Sequence, residues 1–245
     1  MKPHVLKIIK DIAIFLGAIL ATVIVIQIIK FSIRRAYIIK KESPWLIDCY
    51  KNATTQRVLD NVEFPILRSN NESKGLEYSY CGWIFIDSLE YPRSTTEKKH
   101  VFHKGDYKQS YVSPGMYIHP TENKLIFRQD TLDDSMNEMI VEDIPLKKWI
   151  HFTFVVRQKK VYIFINGRMS IYKQLNSLPK QNPHPIYINL HNGFSGYFSR
   201  FRYFNYAISN RMLQKMIRKG PSKVKQDNAL NDGVPRYFLN NFWNQ

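Results

Sequence analysis

Cysteine is nearly missing: Cys49 and Cys81 are the two in 245 residues. That excludes a multi-disulfide framework and leaves room for one bridge at most, so any folded domain depends on its own core. Cys81 lies in an apolar, strand-like run, where a buried free thiol is the expected state. Glycine is scarce too, at ten residues, and none sits in a phosphate-cradling loop. The seven histidines show no metal-ligand spacing. His100 and His103, three apart, fall on opposite faces of an extended strand. There is no Ser-His-Asp signature and no internal repeat. Acidic residues are outnumbered, 20 against 36 Lys and Arg, for a net charge of +16. That excess favours an anionic partner: a lipid surface, nucleic acid or an acidic protein face.

The acids that are present do not form a hydrolytic pair. Glycoside cleavage needs two carboxylates about 5–9 Å apart. The neighbours Asp133-Asp134 and Glu142-Asp143 point to opposite faces if extended. Asp130, Asp133, Asp134, Glu138, Glu142 and Asp143 place six acids in 14 residues, an oxygen-rich stretch of the kind that suits Ca²⁺. It lacks EF-hand spacing, and a solvated acidic loop is the plainer reading. No cofactor is therefore expected, with calcium the one alternative.

What the chain does have is one long uncharged run over residues 12–29. As a helix it is about 27 Å long, close to the roughly 30 Å hydrocarbon core of a bilayer. Ile12, Leu16, Leu20, Ile24 and Ile29 mark the span, and Lys10 and Lys30 can snorkel to its two interfaces. A signal peptide has a shorter apolar core and a small-x-small cleavage site, neither of which is found here. The expected element is an uncleaved single-pass anchor. Lys30, Arg34, Arg35, Lys40 and Lys41 follow it, against Lys2, Lys7 and Lys10 before it. Each basic residue near an anionic leaflet contributes about 1 kcal/mol, and the imbalance puts the remaining domain on the cytoplasmic side. Two glycosylation sequons, at Asn52 and Asn71, matter only if the domain is lumenal.

Beyond Ser43-Pro44, which ends any helix, short strands dominate. Residues 78–86 and 100–103 read as strands. Residues 115–119 and 124–128 flank a turn and read as a hairpin. In the clearest passage every second residue is apolar, at Ile150, Phe152, Phe154 and Val156, and the same holds at Val161, Ile163 and Ile165. Asn166-Gly167 then supplies the two positive-φ residues of a tight turn. Residues 186–190 and 196–206 are joined through Asn192-Gly193. One amphipathic helix closes the domain, from an N-cap at Ser209 to a stop at Gly220-Pro221. It carries Met212, Leu213, Met216 and Ile217 on one face. This pattern predicts an all-β sandwich. The organisation is an anchor over 1–41, a sandwich over 42–221 and an aromatic tail over 222–245.

The segments 149–156, 161–168 and 194–209, with Trp83 in an early strand, resemble the laminin-G-like, concanavalin A-like lectin/glucanase jelly roll. Membrane-anchored proteins of this type are similar to virion components of large DNA viruses of algae and protists. The resemblance implies a β-sandwich and a role in binding. Glucanases of this fold carry Glu-x-Asp-x(-x)-Glu on one strand, and that string is absent, so no enzymatic activity is expected. The function expected is a structural tether, a minor capsid protein between an inner membrane and the shell, with other virion proteins as partners. The tail residues Tyr237, Phe238, Phe242 and Trp243 are the docking candidates, because aromatic rings bury large rigid surfaces. The alternative is a membrane-bound lectin using Tyr107, Tyr111, Asn192 and Tyr197 for glycans. Nucleic acid is disfavoured: the six basic residues between Arg211 and Lys225 read as a solvated helix face.

Overall fold

The computed structural model describes residues 3–60, 66–73, 75–92, 96–134 and 136–225. The chain divides after Glu42 into two units. The first is a single helix, α1, Pro3–Glu42. Proline is well placed at a first helical position, where its missing N–H costs nothing. Pro44 keeps the helix from running on, since it restricts the residue before it to extended conformations.

The second unit is a sandwich of two antiparallel sheets. Its strands are β1 (Trp45–Asn52), β2 (Arg57–Leu59), β3 (Asn70–Glu72), β4 (Gly75–Ser88), β5 (Lys99–Gly105), β6 (Val112–Ile118), β7 (Leu125–Arg128), β8 (Glu138–Val141), β9 (Trp149–Arg157), β10 (Lys160–Ile165), β11 (Arg168–Gln174), β12 (Ile186–Ile188) and β13 (Ser195–Phe204). The larger sheet runs β1-β13-β4-β9-β10-β11, with β3 paired to β4. The smaller runs β2-β12-β5-β6-β7-β8. One helix, α2, Asn210–Lys219, follows β13.

Period-two patterning decides which side chains meet between the sheets. Ile150, Phe152, Phe154 and Val156 of β9 are fully buried, as are Val161 and Ile163 of β10. The opposite wall comes from Phe102, Met116, Ile118, Leu125 and Phe127. Rings bridge the layers: Phe102 stacks on Phe152 at 5.9 Å between centroids, and Phe127 on Phe154 at 6.1 Å. Such contacts each contribute about 0.5–1.5 kcal/mol beyond the area they bury.

Local signals land where the sequence placed them. Asn166 and Gly167 have φ of 49° and 83° and close the β10–β11 hairpin, with Ile165 opposite Arg168. β6 and β7 pair as the expected hairpin. The Ser209 hydroxyl accepts from the Met212 N–H at 3.3 Å, and Gly220, at φ 65°, ends α2. Leu213 and Met216 are buried against Cys81, Val155 and Phe204 on the outer face of the larger sheet. Both cysteines are free and buried, and desolvation pushes the Cys81 thiol up to about 12. Four strands went unread. β1 is irregular because its pairing with β13 shifts register twice. β2 and β3 are three residues each, and β8 lies inside the acidic stretch.

Candidate ligand pocket

A cavity of about 450 Å³ opens between the two sheets. Tyr78 and Tyr80 of β4 and Tyr203 of β13 form one wall, and Lys104 of β5 and Ser113 of β6 form the other. The segments 66–69 and 180–183 complete the rim. The size lies within the roughly 300–1,000 Å³ of small-ligand sites.

The rim is held by polar cross-links between parts of the chain remote in sequence. Arg68 Nε donates to Gln181 Oε1, and Gln181 Nε2 donates to Ser69 Oγ. Ser113 Oγ donates to the Lys180 carbonyl. Beneath, Tyr78 donates to Gln129, whose amide donates to Ser113 and, at 2.9 Å, to the Asp130 carbonyl. Tyr203 donates to the Leu67 carbonyl at 3.0 Å. Burial raises the Tyr78 and Tyr203 phenols above their usual range, so both are neutral donors. Three cations line the cavity, Arg68, Lys104 and Lys180, and among the described residues no carboxylate or imidazole lines it. Lys104 Nζ donates to the His184 carbonyl, and burial pulls its ammonium down to about 8. Lys180 Nζ lies 4.3 Å over the Tyr111 ring.

The acids of the 130–143 stretch are dispersed. Asp130 is 1% exposed and receives Arg128 through both oxygens, at 2.8 and 3.0 Å. It also accepts the Val112 and Met136 N–H groups, so its acceptor capacity is filled by protein. Glu138 pairs with Lys98 and Glu142 with Lys124. Among the described residues, no three His, Cys, Asp or Glu side chains gather as metal ligands.

The histidine expectation is overturned. His100 and His103 do not project to opposite faces: their rings meet, with His100 Nε2 2.6 Å from His103 Nδ1. Register shifts in the β5–β6 pairing, between His100 and Phe102 and between His103 and Gly105, break the strict alternation. The Leu190 N–H donates to His100 Nδ1 at 3.1 Å, which puts the His100 proton on Nε2. That proton goes to His103 Nδ1, and His103 Nε2 donates to the Asp106 carbonyl at 3.0 Å. Two neutral imidazoles thus form a one-directional chain. Burial holds His103 down to about 4 and His100 well below 6.5.

The residues considered for glycan contact are split. Tyr107 packs near Tyr187 and His191, while Tyr111 lies beneath Lys180. Tyr197 stands on the outer face of the larger sheet with Tyr50 and Phe85. Asn192 occupies an exposed turn at φ 64°. Ile12, Leu16, Leu20, Ile24 and Ile29 are all exposed on α1, as are Lys30, Arg34, Arg35, Lys40 and Lys41. By length and composition α1 is able to cross a membrane; a signal sequence near an N-terminus passes the same test. Tyr237, Phe238, Phe242 and Trp243 lie outside the described residues. Sequence reasoning passed over Arg68, Lys104 and Lys180. The one signal that pointed to them was the excess of positive charge.

Residues 60–213 match the family model described as the concanavalin A-like lectin/glucanases superfamily, and the chain belongs to that family. No curated protein matches the sequence. Solved structures share the fold at low identity. The receptor binding domain of botulinum neurotoxin D is 10% identical, with a TM-score of 0.55 over 73% of this chain and 47% of that one. The botulinum neurotoxin serotype D ligand binding domain in complex with N-acetylneuraminic acid is 12% identical, with a TM-score of 0.50 over 59% of this chain and 36% of that one. The protein therefore corresponds to less than half the length of these binding domains.

Proposed function

We propose that this protein is a non-catalytic recognition module, held at a membrane by α1, that binds a saccharide in the pocket between the sheets. The observation that carries this reading is the pocket itself. It is open and of ligand size, and among the described residues hydroxyls, amides and tyrosines line it, with no carboxylate to act as general acid or nucleophile. Tyrosine faces, with lining hydroxyls whose oxygens keep acceptor capacity, suit the mixed apolar and polar surface of a sugar ring. The N-acetylneuraminic acid in the neurotoxin complex is a saccharide held by a protein of like fold, which is in keeping with this reading. The full chain in detergent micelles, applied to a glycan array, should retain a discrete set of glycans and release them intact. Glycan cleavage, or an array without any retained glycan, would refute the reading.

A second reading makes the protein a minor capsid component that tethers an inner viral membrane to the shell, with its domain on the cytoplasmic, shell-facing side. The joining of an apolar helix to a domain with a strong excess of basic residues favours it. Its docking element would be the tail, at Tyr237, Phe238, Phe242 and Trp243. Crosslinking in purified particles separates the readings: a tether yields reproducible crosslinks to shell proteins, and a free lectin yields none.

A further inference from the structure

This inference rests on the reading of the pocket as a ligand site and names the class of ligand. We infer that the pocket takes an anionic group, the carboxylate or sulfate of an acidic saccharide, held among Arg68, Lys104 and Lys180. Three cations line one cavity, and among the described residues none of them forms an ion pair with a carboxylate. Elsewhere in the same domain a buried cation is matched: Arg128 receives both oxygens of Asp130. Lys99 and Arg202 bond to single carbonyl or hydroxyl groups away from the pocket, so what sets Arg68, Lys104 and Lys180 apart is that three cations without a described counter-charge line one cavity.

The donors are also available. The described contact of the Arg68 guanidinium runs through Nε to Gln181, which leaves its terminal N–H groups for a planar oxyanion. The Lys104 ammonium has three N–H donors and spends one on the His184 carbonyl. Partial burial without a counter-charge lowers its proton affinity, and an anion in the cavity would reverse that cost. Lys180 is positioned from two sides, by Ser113 at its carbonyl and by the Tyr111 ring under its ammonium. Gln181 ties the two rim segments to each other through Arg68 and Ser69, so the charges are placed before a ligand arrives. The net charge of +16 would raise the encounter rate with any anion.

Isothermal titration of the full chain in zwitterionic micelles tests the assignment. The probes are 3′-sialyllactose, a sulfated heparin disaccharide, inorganic sulfate and neutral lactose. At least one acidic saccharide should bind about tenfold or more tightly than lactose, and sulfate should compete with it. Arg68→Met and Lys104→Met should each weaken that binding about tenfold or more, whereas Lys215→Met, on an exposed position of α2, should leave it unchanged. Arg68 is exposed, so its variant stays informative if Lys104→Met fails to fold. Binding should also weaken from pH 7 to pH 9 as Lys104 loses its proton. Lactose and sialyllactose binding equally, or indifference to Arg68→Met, would overturn the anionic assignment while leaving saccharide recognition intact. Sulfate binding that depends on Lys104, with no saccharide bound at all, would uphold the anion site and refute the saccharide reading.

Discussion

Gly167 shows how one residue type can be required by geometry. Its φ of 83° lies in the left-handed region, and a Cβ there would approach Ile217 Cδ1 of α2 to 2.6 Å. Gly167→Val combines a strained backbone with that clash, and is expected to destabilise the domain by about 1–3 kcal/mol. A lowered urea midpoint for the full chain in detergent, with unchanged slope, is the expected result. This position was legible because Asn-Gly between two alternating runs is a local signal. The residues of the pocket were not. Arg68 and Gln181 meet across 113 positions of sequence, and no spacing rule links them. His100 and His103 show the converse. Their spacing of three is a strict geometric statement for a regular strand, and it failed because the pairing of β5 with β6 is irregular.

Among the elements, α1 and α2 are both helices written in apolar side chains, yet they differ in what they can cover. α2 has one apolar face, and Leu213 and Met216 disappear against the larger sheet. α1 is apolar around its whole circumference over residues 12–29 and is exposed throughout its most apolar stretch. On the proposed reading of α1 as an anchor, a bilayer would cover such a surface. Leu20→Arg, near the middle of that stretch, should cost about 2.5–3.5 kcal/mol on insertion scales. The expected outcome is partial release of the variant from membranes on carbonate extraction, where the parent chain stays in the pellet. The strands divide in the same way. β9 and β10 pair without a register shift and keep an apolar residue at every second position, so they were readable, whereas β1 follows a shifted register and reads as irregular text.

For the molecule as a whole, buried imidazoles couple folding to pH. His100, His103 and His151 are each buried, and desolvation depresses their proton affinity, His103 and His151 to about 4. In the unfolded chain they titrate near 6.5. Below that value the unfolded state binds more protons than the folded one, so stability falls as pH falls and the loss continues towards pH 4. The slope expected is up to about 1.4 kcal/mol per pH unit for each imidazole. Urea midpoints measured in steps from pH 7 to pH 4 should decline through this window, and His151→Phe should reduce the decline.

The sequence by itself determined the long apolar helix α1, the all-β class, the Asn166-Gly167 hairpin and the capped α2. Each of these rests on local chemistry: an uncharged run, period-two alternation, a positive-φ pair, and a Ser–Gly frame around an amphipathic face. The tertiary structure alone decided which cations share a cavity, that Asp130 is spent on Arg128, and that two histidines join in one proton-ordered chain. The physical reason is that strand pairing and sheet stacking bring together residues whose separation in sequence carries no information. A register shift of one residue is enough to change which face a side chain occupies.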